Sequence, residues 1–118
     1  MTAYGNFFKN KAAEKQFSSN YAKKWKYPEA VKTKLQGIET FIRQAKSLND
    51  VVNYPPFHLH QLLGDRNKEW SIYVGNTGYR VSLFPCDDYG NPITCGDIIA
   101  KSTSINNIVV IEVSNHYE

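Results

Sequence analysis

Long apolar runs are missing from this chain. No uninterrupted stretch approaches the roughly 20 residues needed to cross a bilayer, which excludes a membrane-spanning helix. The first residues do not read as a secretory leader, because Asn6, Lys9, Asn10 and Lys11 interrupt any apolar core. A soluble protein that stays where it is made, in the cytoplasm, is expected. Cysteine is scarce too. Cys86 and Cys95 lack CxxC spacing and have no histidine pair beside them, so no metal is expected. In a reducing cytosol they should be free thiols, with a disulfide across the short intervening loop as the alternative. A Gly-rich phosphate loop, a Ser-His-Asp order, a paired-carboxylate motif, internal repeats and low-complexity segments are all absent. Nothing here calls for a cofactor.

The 118 residues are enough for one domain and one core. A hydrophobic fraction of 42% fits a globular chain rather than a disordered one. Eight Tyr, six Phe and two Trp can fill that core, and Tyr and Trp also keep a polar handle for contact surfaces. The net charge of +3 is unevenly spread: residues 1–50 carry ten Lys or Arg against four acids, residues 51–118 four against seven. A basic half fits either a polyanionic partner or a solvated lysine-rich helix surface.

Ala3 to Phe8 reads as a short edge strand. From Asn10 the pattern is helical, with Ala13, Phe17, Tyr21 and Trp25 every four residues and Lys15, Lys23, Lys24 and Lys26 on the other side. Tyr27-Pro28 breaks this helix. Pro28 then suits the first position of a second helix, whose apolar stripe is Val31, Leu35, Ile38, Ile42 and Ala45. Asn49-Asp50 and Pro55-Pro56 mark a loop. Beyond it the period becomes two: Trp70 to Val74 alternates, Gly75-Asn76-Thr77-Gly78 is a turn, and Tyr79 to Phe84 alternates until Pro85 ends the strand. Residues 86–106 are polar and turn-rich, with an apolar patch at Ile98 and Ile99. Ile108 to Val113 is a β-branched run suited to a central strand. The fold class is α+β: an N-terminal helical hairpin packed on a small antiparallel sheet, one domain over 1–118, with 86–106 an insertion between the last two strands.

Three places carry residues with chemical potential. In Phe57-His58-Leu59-His60, an extended backbone puts both histidines on one face, as acid–base groups or as ordinary surface residues. No carboxylate or cysteine completes a metal set with them. Arg80 alternates with Tyr79 and shares a face with Ser82, where it either clamps a phosphate or joins a cross-strand ion pair. Ser114-Asn115-His116-Tyr117-Glu118 follows the last strand, as a solvated tail or as a further part of a site. Converging His, Arg and Tyr side chains can cleave RNA without metal: a base takes the 2′-hydroxyl proton, the oxygen attacks the adjacent phosphate, and an acid protonates the leaving 5′-oxygen.

The stretch Phe57-His58-Leu59-His60-Gln61-Leu62-Leu63-Gly64-Asp65-Arg66, followed by Trp70-Ser71-Ile72 and Tyr79-Arg80-Val81, resembles the HigB branch of the RelE/ParE superfamily of type II toxin–antitoxin toxins. Ala45 to Val52 resembles the helix-to-loop stretch of the same family, and the likeness runs over roughly 28–118 with 86–106 set aside. It implies a RelE-like fold and a ribosome-dependent mRNA endoribonuclease. It also implies an antitoxin with a helix-turn-helix domain, through which alone operator DNA is met. On this resemblance His60 and His116 are the proton-transfer candidates, Arg80 clamps the phosphate, Tyr117 stacks or orients, and Asn115 stands where the family has an acid. Arg66, Lys23, Lys24 and Lys26 would meet ribosomal RNA. The family lysine before glycine is Leu63 here, and the final His and Tyr are in swapped order. Two alternatives accompany this reading: a non-catalytic ParE-like binder that inhibits gyrase, and a ribonuclease that works without the ribosome.

Overall fold

A computed structural model describes residues 7–18, 28–66 and 68–115. Within them, helix α1 (Lys11–Gln16) begins at Asn10, whose side-chain oxygen accepts from the Ala13 amide at 2.9 Å. This is the usual way to satisfy an orphan first-turn donor. Phe17 closes the helix. The expected continuation through Tyr21 and Trp25, and with it the full hairpin, lies outside the described residues.

Helix α2 (Glu29–Gln44) has Pro28 as its N-cap, one residue before the position expected of it. Its stripe of Val31, Leu35, Ile38 and Ile42 is buried, as the four-three spacing requires, and Ala45 ends it in extended conformation. The residues read as a loop at Asn49-Asp50 instead form a short helix, α3 (Leu48–Val52). Ser47 caps it by accepting from the Asn49 amide, and Asp50 accepts from the Lys46 amide at 2.9 Å. Local side-chain acceptors thus turn a polar loop signature into a helical turn.

Four strands, β1 (His60–Gln61), β2 (Trp70–Tyr73), β3 (Tyr79–Cys86) and β4 (Asn107–Asn115), form an antiparallel meander in chain order. The molecule is therefore α+β. The 75–78 turn is as expected, with Gly75 and Gly78 at positive φ. Pro85 does not end its strand. Its carbonyl faces away from β4 and accepts from the Ile93 amide at 2.9 Å, so the β3–β4 ladder needs no N–H from it. Ile72, Val81, Leu83, Val110 and Val113 turn inward and share one core with the stripe of α2.

Residues 86–106 are anchored rather than loose. Ile98 and Ile105 are buried while Ile99 is exposed, the Ser102 hydroxyl donates to Asn49 at 3.0 Å, and the Leu48 amide donates to the Ile105 carbonyl. The segment closes the core at the α3 end of the sheet.

The outer edge of β4 is protected. Phe7 and Lys9 exchange backbone hydrogen bonds with Val110, the part of the expected N-terminal edge strand that is described. The Gln16 side-chain amide then both donates to the Val113 carbonyl at 3.0 Å and accepts from its amide at 2.8 Å. One glutamine thus imitates a strand residue at an otherwise open edge. Gln16→Ala is expected to cost about 1–3 kcal/mol and to promote association through that edge. Chemical denaturation and light scattering would test this, and an unchanged, monodisperse variant would refute it.

Candidate functional site

Helix α2 covers one face of the sheet, and the other face carries the site. Strand alternation and register set a row His60–Ser71–Ser82–Glu112 across all four strands, with a second row Tyr73–Arg80–Ser114 beside it. Arg80 thus stands on the uncovered face with Ser82, as the period-two pattern requires. A cavity of about 370 Å³ opens there, lined by His60, Leu63, Arg66, Arg80, Ser82 and Ser114. Its floor is polar: Ser71 and Ser82 are buried, and the Ser114 hydroxyl has no hydrogen-bond partner among the described residues.

His60 is oriented by its neighbour. Its Nδ1 lies 2.8 Å from the His58 carbonyl oxygen. A carbonyl only accepts, so Nδ1 carries the proton, and the neutral ring keeps its lone pair on Nε2. The segment is not simply extended, as the sequence was read. Pro55–Phe57 form a 3₁₀ turn and His58 adopts φ 46°, in the left-handed region. The two imidazoles meet all the same, with ring centres 5.3 Å apart.

Arg80 has no carboxylate partner among the described residues. Its guanidinium lies 4.9 Å from the centre of the Tyr73 ring, a cation–π contact that leaves the hydrogen-bonding fork available. Arg66 is the opposite case. Expected as a contact for RNA, it is held by Glu69 at 2.6 Å, Glu112 at 3.2 Å and the Ser82 hydroxyl at 3.3 Å. The Glu69 hydrogen bond first, then the charges of both acids, keep its guanidinium more firmly protonated than usual against the desolvation of partial burial. Two carboxylates already answer this one cation, so Arg66 serves as a wall of the cavity. It also lines a second space of about 530 Å³ beside α1, with Lys9 and Lys15.

Asn115 pairs with Tyr79 in the ladder, one step out of phase with Ser114, and does not line the cavity. Lys23, Lys24, Lys26, His116 and Tyr117 lie outside the described residues. Tyr73, Ser114 and Glu112 were missed by sequence reasoning, although the same alternation that placed Arg80 contains them. Tyr73 shares a face with Ser71, and Glu112 and Ser114 are two apart on the last strand. No group of His, Cys, Asp and Glu among the described residues has the arrangement to hold a metal ion. No helix among them is long and apolar enough to cross a membrane.

Both cysteines are free thiols, Cys86 buried and Cys95 exposed. Burial first, then the charges of Asp87 and Asp88, push the Cys86 thiol up to about 11. An alkylating reagent at neutral pH is expected to modify Cys95 alone in the native protein and both thiols once it is unfolded. Mass spectrometry after timed labelling reads this directly, and equal native rates would contradict the burial.

The chain matches no protein-family model and no curated protein sequence. Any functional reading therefore stands on the residues themselves and on the motif resemblance.

Proposed function

We propose that this protein is a metal-independent endoribonuclease that cleaves mRNA on translating ribosomes, the toxin of a type II toxin–antitoxin pair with a RelE-like fold. The observation that carries the reading is the joint placement of His60 and Arg80 on the walls of one cavity. Arg80 supplies an uncommitted guanidinium for a phosphate, and His60 supplies an imidazole whose Nε2 can take a proton. In the step proposed, Nε2 of His60 removes the ribose 2′-hydroxyl proton as that oxygen attacks the adjacent phosphorus. Arg80 offsets the charge that gathers on the phosphate oxygens. The phosphorus–5′-oxygen bond breaks, leaving a 2′,3′-cyclic phosphate, and the departing oxygen takes a proton from a second donor. His116 is the residue we assign to that donation, with Tyr117 as a supporting group.

Lys9 and Lys15 flank the neighbouring space and, with Lys23, Lys24 and Lys26, give the basic half a role against RNA phosphates. The partner that silences the activity is an antitoxin with a helix-turn-helix domain, and the site of action is the cytoplasm. One observation favours a non-catalytic, gyrase-binding reading as the rival: Leu63, 90% exposed at the rim of the cavity, offers an apolar contact to a protein rather than a charge to RNA.

Mapping mRNA 5′ ends in a translating extract separates these readings. Wild-type protein is expected to create new ends inside reading frames only when ribosomes are active. His60→Gln, folded, is expected to be slower by about 10²–10⁴-fold. Cuts in ribosome-free RNA would show a free ribonuclease. Intact mRNA with an induced DNA-damage response would move the protein to the gyrase class.

A further inference from the structure

His58 has no part in the proton transfers assigned above, yet its backbone is strained. It is the sole non-glycine residue at positive φ among the described residues. A side-chain-bearing residue is held there only when its surroundings over-determine it, and such strain gathers at ligand sites. The conformation sets the His58 imidazole nearly parallel to the Tyr73 ring, with centres 5.0 Å apart and 24° between the planes. Tyr73 in turn carries the Arg80 guanidinium at 4.9 Å and meets the edge of His60 at 5.9 Å. One tyrosine therefore ties the histidine pair to the phosphate clamp. His58 itself is exposed, so its ring can be reached by a ligand from solvent.

We propose that His58, braced by Tyr73, is the stacking platform for a nucleobase next to the scissile phosphate, and that its ring carries no proton in the reaction. The inference rests on the ribonuclease reading above and names the part of the substrate that reading leaves unplaced. A flat ring held by a second ring is a pre-ordered surface for any base, because every base has a π-face. Arg80 and His58 both lie against the Tyr73 ring, so the phosphate clamp and the platform belong to one aromatic cluster. The backbone of His58, rather than its imidazole, serves the proton chemistry, since its carbonyl fixes the tautomer of His60.

The test is single-turnover cleavage of mRNA on purified ribosomes by the full-length protein at varied concentration. His58→Asn removes the ring while keeping a residue that tolerates the left-handed backbone. It is expected to raise the half-saturating concentration about tenfold, with the maximal rate within about threefold of wild type. His58→Phe keeps a flat ring without a titratable nitrogen and is expected to restore binding to within about twofold. An abasic nucleotide beside the cut bond should weaken the wild type by the same factor and leave His58→Asn unaffected. If His58→Phe instead loses maximal rate as severely as His60→Gln, His58 carries a proton and the proposal falls. It falls equally if His58→Asn matches the wild type. Absence of cleavage by the wild type would overturn the ribonuclease reading itself, an outcome distinct from both. Circular dichroism of each variant checks that the fold is kept.

Discussion

Arg80→Ala is expected to reduce mRNA cleavage by about 10²–10³-fold, while the protein keeps its fold and its affinity for the ribosome. Arg80 stands near the start of β3 on the uncovered face, and its contact there is with the Tyr73 ring, not with an acid. Truncating it leaves no buried carboxylate unpaired, so the structural cost is small. What disappears is a forked donor aimed at a site where charge develops, and that loss falls on the chemical step. Arg80→Lys should recover only part of the rate, because a point charge cannot make paired hydrogen bonds to a phosphate. The measurement is the yield of new mRNA 5′ ends against time in a translating extract. A folded Arg80→Ala protein as active as the wild type would remove Arg80 from the mechanism. The contrast with Arg66 sharpens the test. Arg66→Ala leaves Glu69 and Glu112 without the cation they share, so its effect should include lower stability.

Ile42→Ala is expected to destabilise the fold by about 3 kcal/mol, a typical cost of removing a buried isoleucine with incomplete collapse around the cavity. Ile42 is 0% exposed and is part of the one core cluster shared by α2 and the sheet. Gln44, two residues on and exposed, is the control, and its replacement by alanine should change stability by less than about 0.5 kcal/mol. Urea denaturation of the three proteins reads both values. A loss under about 1 kcal/mol at Ile42 would mean that α2 is not firmly docked on the sheet. The same docking reserves the opposite face of the sheet for chemistry, since a small sheet with helices on one side presents the other to solvent.

Patterns that depend on period were legible in the chain. The four-three spacing of Val31, Leu35, Ile38 and Ile42 located α2 and its buried side. The alternation through Tyr79 to Leu83 located β3 and put Arg80 outward. Both follow from backbone geometry that each residue imposes regardless of its distant neighbours. The errors share a different origin. Asn49-Asp50 read as a loop but lie inside a helical turn capped by Ser47, and Pro85 read as a stop although its missing N–H is not needed by the strand beside it. At Asn49-Asp50 the side-chain acceptors of Ser47 and Asp50 decided the outcome, and at Pro85 the pairing of its carbonyl with the Ile93 amide did.

The candidate site divides along the same line. By itself the sequence determined the fold class, the face on which Arg80 stands, and the residue types available for chemistry, because those depend on short-range periodicity and composition. Only the tertiary structure decided that Arg66 is committed to Glu69 and Glu112 while Arg80 is uncommitted, since the two arginines look alike until Arg66 and Glu112, 46 residues apart, are brought together. It alone decided that His58 leaves the extended conformation to lie on Tyr73, and that a glutamine in α1 closes the edge of β4. Contacts between residues far apart in the chain carry no periodic signature, and it is those contacts that sort equivalent side chains into wall, clamp and base.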